Sequence, residues 1–171
     1  MTRRVIDVHA HVGKTVANNI GQTVDELIGR MDAAEVSEAL LSPAAADRQV
    51  EGIVDTRRMN DVVATAVREH PDRFPTGFGL VEPRHEEHAV TELIRILDEL
   101  GLAGIAVHPT LEGYYLDTPL RVDPLWEILD DRRAICLMHS SPDPGSASPP
   151  PRCGQWSAGT RTSRRSWAMR F

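Results

Sequence analysis

Two histidines and an aspartate alternate along the first apolar run of the chain, at Asp7, His9 and His11. Side chains alternate along a β-strand, so these three are expected to share one face, with the imidazoles about 7 Å apart along the strand. Neutral imidazoles can converge on one zinc, iron, nickel or manganese ion, and a nearby carboxylate can orient a ring through its second nitrogen. The spacing alone leaves two interpretations open, a metal site or a pair of surface histidines.

Two further histidines each follow an apolar run, His108 after residues 105–107 and His139 after residues 134–138. Parallel α/β folds place their functional groups at the carboxyl ends of the strands. His139 is therefore a candidate third metal ligand. His108 is interpreted as a residue that supports the site or faces substrate, and the remaining histidines are assigned to the solvated surface: His70, His85 and His88.

The elements that must position these residues are short apolar runs at a spacing of about thirty residues, over 5–8, 39–41, 77–81, 105–107 and 135–138. Amphipathic segments lie between them. Strands that alternate with helices predict right-handed βαβ units on a parallel sheet, either doubly wound or part of a (β/α)8 barrel. A complete flavodoxin-like domain is a further alternative, disfavoured because the Gly-Lys-Thr triplet at 13–15 lacks the full phosphate-loop spacing.

Local signals place the helices. Thr23 and Glu26 form a capping-box pattern at the start of the first, and the third has the clearest apolar stripe, at Val90, Leu93, Ile94, Leu97 and Leu100. Its charged residues are expected on the opposite, solvated face: Glu92, Arg95, Asp98 and Glu99. The pair Asp123-Pro124 predicts an N-cap and first residue for the fourth helix.

Composition changes near residue 140. Residues 1–140 carry 14 basic and 24 acidic side chains and 38 Val, Ile or Leu, whereas residues 141–171 carry 5 basic and 1 acidic and no branched aliphatic residue. Such a segment buries too little apolar surface to offset its ordering entropy. The sequence therefore predicts a folded body over 1–140 and an unstructured Pro/Ser/Arg-rich tail over 141–171, either translated out of frame or a natural linker.

The same composition limits the function classes. Two cysteines do not make a disulfide framework, and no apolar run reaches the roughly 18 residues that a membrane helix needs, so a cytoplasmic protein without a membrane partner is expected. The acidic body gives no electrostatic reason to bind nucleic acid. A small-molecule substrate is the expected partner, and Tyr114 and Arg121, in the segment after the fourth apolar run, are candidate substrate contacts.

Several segments in this order make the chain resemble the amidohydrolase-related metalloenzymes, most of all the branch with aminocarboxymuconate-semialdehyde decarboxylase and resorcylate decarboxylases. They are the Asp7–His11 start, residues 59–61 leading to 69–74, the strand 77–81 and the segment Gly104–Pro109. The resemblance covers residues 4 to about 140.

The resemblance implies a (β/α)8 barrel with one divalent metal, most often zinc, with manganese or iron as alternatives. His9, His11 and His139 correspond to metal ligands, with Asp7, His108, Tyr114 and Arg121 as supporting or substrate-facing residues. Family members also use a histidine after the sixth strand and an aspartate after the eighth. This sequence supplies about five strands where a full barrel takes about 250 residues, so an incomplete barrel without that catalytic aspartate is expected.

Two functions from different classes remain open. The first is a metal-dependent hydrolase or non-oxidative carboxy-lyase that acts on a small, aromatic carboxylate and is impaired by truncation. The second is a catalytically inactive barrel fragment that binds a partner or forms a homo-oligomer through its open edge, where unpaired strand groups invite association.

Overall fold

The computed structural model describes residues 4–14, 21–44, 51–109 and 119–139. Tyr114 and the predicted tail over 141–171 lie outside the described residues. The elements, in chain order, are β1 (Ile6–Lys14), β2 (Gly21–Gln22), α1 (Val24–Ala33), β3 (Glu38–Pro43), α2 (Ile53–Glu69), β4 (Phe78–Leu80), a 3₁₀ turn (Pro83–His85), α3 (Glu87–Asp98), β5 (Gly104–Val107), α4 (Pro119–Asp131) and β6 (Ile135–Met138).

Five of these strands run parallel. β1 pairs with β3, and β5 pairs with β4 on one side and β6 on the other. A parallel bridge between Leu41 and Gly77 joins the two groups, so the strand order is β1, β3, β4, β5, β6, with the short β2 antiparallel at the edge of β1. This arrangement confirms the predicted α/β architecture with about five parallel strands and intervening helices.

A β-bulge interrupts the alternation predicted for β1. Between the pairs Asp7–Ala39 and Ala10–Leu41 the register shifts, so that Val8 and His9 together stand opposite one residue of β3. Beyond the bulge, Ala10 and Val12 are buried in the core, whereas Ile6 and Val8 are 42% and 63% exposed. The expectation that Asp7, His9 and His11 share one face therefore does not hold across the bulge. The extra residue in β1 turns the side chains before the bulge to the opposite face of the sheet from the one that strict alternation predicts.

The main core lies between the outer face of the sheet and the helices. Val63 of α2 and Leu93 and Ile96 of α3 are fully buried there, together with Leu41 and Ile105 from the strands. The predicted capping box of α1 is present, since Thr23 accepts from the Glu26 amide and the Glu26 carboxylate accepts from the Thr23 amide. No helix in the described ranges is long and apolar enough to cross a membrane.

The fourth helix differs from its prediction. Its described part begins at Pro119, so Pro124 lies inside the helix and Asp123 is not its N-cap. Proline has no N–H to donate to the carbonyl four residues before it, which is residue Leu120. Leu120 is 94% exposed, so water can satisfy that carbonyl and the helix tolerates the proline.

A buried polar network, here called the helix clamp, joins α2, α3 and β4 through Asn60, Glu92 and Arg95. The Asn60 side-chain amide makes two hydrogen bonds with the Leu80 backbone: it donates to the carbonyl at 2.9 Å and accepts from the N–H at 2.7 Å. It also donates to the Glu92 carboxylate at 2.8 Å. Arg95 donates twice to the same carboxylate, at 2.7 and 2.8 Å, and Arg57 once, at 2.9 Å. Glu92 is fully buried, so its assignment to the solvated face of α3 is wrong. The hydrogen bonds of the helix clamp make this burial of a carboxylate possible.

Candidate metal centre

Three imidazoles come together, one from β1 and one from the residue that follows each of β5 and β6. His9 lies in the bulge of β1, while His108 and His139 directly follow β5 and β6. One ring nitrogen from each lies within 4.8 Å of the others, and among the described residues these three form the group able to hold a metal ion. We call them the histidine cluster.

The geometry of the cluster fits a metal. The Nε2 atoms of His9 and His139 are 3.3 Å apart. A zinc ion holds imidazole nitrogens at about 2.0–2.1 Å, which in a tetrahedral site separates neighbouring nitrogens by roughly 3.3 Å. The His108 ring stacks on His139 with centroids 3.8 Å apart and planes inclined by 15°.

Close packing of β5 against β6 brings two of these rings together. A Cβ atom on Gly104 would lie 1.8 Å from the carbonyl oxygen of Ile135, so only glycine allows the two backbones to approach this closely. The pairing continues to the end of the strands, where the His139 N–H donates to the Val107 carbonyl. The residues that follow the strands, His108 and His139, are thereby held side by side.

The surroundings keep the rings neutral, which is the form that binds metals. Burial lowers the pKa of His9 to about 4, helped by His11 and His139 and only partly opposed by Asp7. Burial, with further contributions led by His139, lowers the pKa of His108 to about 4. Burial and His11 also lower the pKa of His139.

His11 lies beside the cluster. Its ring centroid is 4.5 Å from that of His9 and 6.4 Å from that of His108. Its Nδ1 lies 2.8 Å from the carbonyl oxygen of Pro43. Since a carbonyl only accepts, Nδ1 must carry a proton, so in the neutral tautomer Nε2 has the free lone pair, the arrangement typical of metal-binding histidines.

Asp7 and Arg121, two other predicted site residues, do not belong to the histidine cluster. Asp7 is exposed, and its carboxylate accepts from the His9 backbone N–H at 2.9 Å. Arg121 is exposed on α4. Of the histidines assigned to the surface, His88 is exposed, whereas His85 is largely buried with Nε2 3.4 Å from the Glu82 carboxylate.

The sequence profile of the amidohydrolase family matches residues 6–169. The 2-amino-3-carboxymuconate-6-semialdehyde decarboxylase of Dictyostelium discoideum is 35% identical over 81 residues, which are 47% of this chain and 22% of that protein.

Solved structures agree with the fold. The 5-carboxyvanillate decarboxylase of Novosphingobium aromaticivorans, solved with manganese and 3-methoxy-4-hydroxy-5-nitrobenzoic acid, is 30% identical with a TM-score of 0.61, over 72% of this chain and 35% of that one. The 2,6-dihydroxybenzoate decarboxylase of Rhizobium is 24% identical with a TM-score of 0.63, over 80% and 49% of the two chains. The predicted fold, part of a (β/α)8 barrel, is thus confirmed, and the chain spans half or less of these relatives.

Proposed function

We propose, since this chain belongs to the amidohydrolase family, that its histidine cluster binds one divalent metal ion in an enzyme that decarboxylates a small aromatic carboxylate without oxidation. The convergence of three imidazoles within 4.8 Å carries the proposal. The decarboxylases similar to this chain support the reaction, because the structure at 30% identity holds both a metal and a substituted benzoic acid. Hydrolysis of a related substrate is the other reaction that the same metal chemistry allows.

The histidines of the site have two roles in this proposal. His9, His108 and His139 are neutral donors to the ion, and the Pro43 carbonyl holds His11 in the tautomer whose Nε2 can bind the ion or accept a proton. An ion bound there supplies Lewis-acid polarisation of a substrate oxygen. His11 is thereby the natural further ligand, in keeping with its spacing of two residues from His9 in the sequence.

The ligand set favours zinc over manganese. Imidazole suits zinc, copper, nickel and iron, whereas manganese prefers carboxylate, carbonyl and water oxygens. Within the described ranges the group able to hold an ion consists of imidazoles alone. Dialysis of the protein against equal concentrations of zinc and manganese, followed by elemental analysis, is expected to give mainly the zinc form, and a predominantly manganese form would contradict this assignment.

The experiment that tests metal binding compares the wild type with His9→Ala and His139→Ala by calorimetric zinc titration. About one ion per chain is expected for the wild type, with affinity reduced at least 10- to 100-fold in both variants. The matched control is His88→Ala, which removes an exposed histidine of α3 and should leave binding unchanged. Wild-type affinity in His139→Ala would contradict the proposed site.

Turnover of the 171-residue chain is expected to be weak, because within the described residues the group that can hold an ion contains imidazoles and no carboxylate. A general acid or base ordinarily contributes about 10²- to 10⁴-fold to a proton transfer. Carbon dioxide release from a panel of hydroxylated benzoic acids, with and without a chelator, measures this. Rapid, chelator-sensitive turnover would show that the proton-transfer group is already present.

A second candidate function is self-association, with a second copy of this chain as the partner. Ile6 and Val8 of β1 are 42% and 63% exposed, and Ile135 of β6 is 53% exposed. In the described part of the chain β6 has a strand partner on one side only, and open edges of this kind pair with other strands. Light scattering tests it: a dimer that Val8→Lys converts to a monomer supports association, and a monomeric wild type contradicts it.

A further inference from the structure

The hydroxyl of Ser42, near the end of β3, is buried and has no hydrogen-bond partner among the described residues. Ser42 has no exposed surface, and its Oγ makes no hydrogen bond to any residue in ranges 4–14, 21–44, 51–109 and 119–139. A buried hydroxyl gives up its hydrogen bonds to water on folding, so an unpaired one destabilises the protein unless something else completes it. Groups of this kind are rare in folded proteins, and each calls for an explanation.

The strand pairing places this hydroxyl on the same face of the sheet as His11. Ser42 and His11 are register partners on adjacent parallel strands, so their side chains point to the same side. The residue before Ser42, Leu41, is buried in the core between sheet and helices, so Ser42 faces away from that core. That is the face on which the His11 ring approaches His9 of the histidine cluster, with centroids 4.5 Å apart.

The neighbouring strand on the other side places an aromatic side chain beside Ser42. The parallel bridge from Leu41 to Gly77 brings Phe78 beside Ser42. A Cβ on Gly77 would point into Val63 of α2, and one on Gly79 into Ile96 of α3, so Phe78 between them faces away from the helices. Ser42 therefore lies between His11 of β1 on one side and Phe78 of β4 on the other, on the same face of the sheet.

We propose that Ser42 donates a hydrogen bond to a carboxylate oxygen of an aromatic acid bound at the histidine cluster. The inference rests on the proposed function and deepens it, because it assigns the residue that recognises the carboxylate. A hydroxyl donor suits this role, since hydrogen bonds to ionised oxygens are shorter and stronger than neutral ones. Ser42 is thus a specificity residue whose missing partner in the free protein is the substrate itself.

The test uses the zinc-loaded chain and two probes, 2,6-dihydroxybenzoate and resorcinol, which is the same ring without its carboxylate. Ser42→Ala is expected to lower the affinity for 2,6-dihydroxybenzoate by about 10- to 100-fold and to change the affinity for resorcinol by less than about 2-fold. Ser42→Cys, which is close in size and a weaker donor, should give an intermediate affinity. Zinc affinity, measured on the same samples, should be equal in all three proteins.

Thermal unfolding of the metal-free proteins provides a second readout that a structural role would move in the opposite direction. Removing an unsatisfied buried hydroxyl should raise the Tm, so Ser42→Ala is expected to be more stable than the wild type while binding the acid more weakly. A lower Tm with unchanged affinity for 2,6-dihydroxybenzoate would overturn the proposal and make Ser42 a structural residue. Equal acid affinities with intact zinc binding would overturn only the Ser42 assignment, whereas failure of the wild type to bind zinc would overturn the metal site as well.

Discussion

Two polar clusters, the helix clamp and the histidine cluster, show opposite ways of burying polar groups. In the clamp, the Glu92 carboxylate receives hydrogen bonds from Asn60, Arg95 and Arg57, and each charge has an opposite partner. In the histidine cluster, His9 and His139 face each other nitrogen to nitrogen at 3.3 Å, and each neighbouring ring opposes protonation of the next. The clamp is complete without a ligand, whereas the cluster is arranged for a positive charge that must come from outside.

The difference separates residues that stabilise the fold from residues that are proposed to bind a metal ion. A complete buried network stabilises the elements it joins, here α2, α3 and the end of β4. An array of like groups with strongly lowered pKa values is destabilising by itself and is found where a protein binds or reacts. Changes in the clamp should therefore reduce stability and spare metal binding, and changes in the cluster should do the reverse.

The largest effect is expected at Gly104, on which the geometry of the cluster depends. Gly104→Ala forces a methyl group to within 1.8 Å of the Ile135 carbonyl, so β5 and β6 must separate. We expect a loss of more than about 3 kcal/mol in the free energy of unfolding, measured by urea denaturation, together with loss of zinc binding. Gly101→Ala is the matched control: it has open space and φ of +67°, and should cost only about 1 kcal/mol. Equal losses in the two variants would contradict the proposed role of this close strand approach.

Asn60→Ala should have the next largest effect and should reduce stability alone. It leaves the Leu80 N–H and carbonyl without their side-chain partner and removes one donor from Glu92. The expected loss is about 2–3 kcal/mol in the free energy of unfolding, because buried polar groups are left unpaired. Thr91→Ala, on the exposed side of α3, should stay within about 0.5 kcal/mol. Zinc affinity of the folded Asn60→Ala protein should equal that of the wild type. A loss of zinc affinity in this variant would show that the helix clamp and the histidine cluster are energetically coupled.

The sequence predicts the strand ends well and the contacts between elements poorly. His108 and His139 stand out because each follows an apolar run, and parallel strands bring such ends to one edge of the sheet. The bulge at Val8 and His9 has no comparable signal, since the run from Val5 to His11 reads as an uninterrupted strand. The relative placement of His9, His11 and His108 depends on that bulge and on the β5–β6 approach, so spacing alone could not rank them as ligands.

Glu92 shows the same limit for charged residues. On α3 it falls among polar residues, and a helical pattern places such residues in solvent unless their partner is known. Its partners Asn60 and Arg57 lie 32 and 35 residues earlier in the chain, on α2. Ser42 is a parallel case: a single serine in the run Ala39–Pro43 fits a buried strand, and only the register with His11 shows which side it faces.

Acid should weaken the clamp in a definite pH range. Burial alone would raise the pKa of Glu92, but the hydrogen bonds from Arg95, Asn60 and Arg57 outweigh it and hold the pKa below the usual 4.5. A carboxyl whose pKa is lower in the folded state contributes stability above about pH 4.5 and loses it as the pH falls through the folded value. The stability difference between the wild type and Glu92→Gln, measured in chelator by urea denaturation, should therefore shrink as the pH falls below about 4.5. A constant difference would show that the charge of Glu92 contributes nothing.

A smaller change in stability than that of Asn60→Ala is expected from His139→Ala without metal, although this variant should lose metal affinity. The His139 imidazole is partly exposed, and its ring contacts with His9 and His108 contribute little to stability. The free energy of unfolding in chelator should therefore stay within about 1 kcal/mol of the wild type. Zinc at 100 times its dissociation constant should stabilise the wild type by about 2.7 kcal/mol and leave the variant nearly unchanged. A loss in chelator as large as that of Asn60→Ala would mean that the cluster stabilises the fold like the clamp, and the contrast between the two regions would disappear.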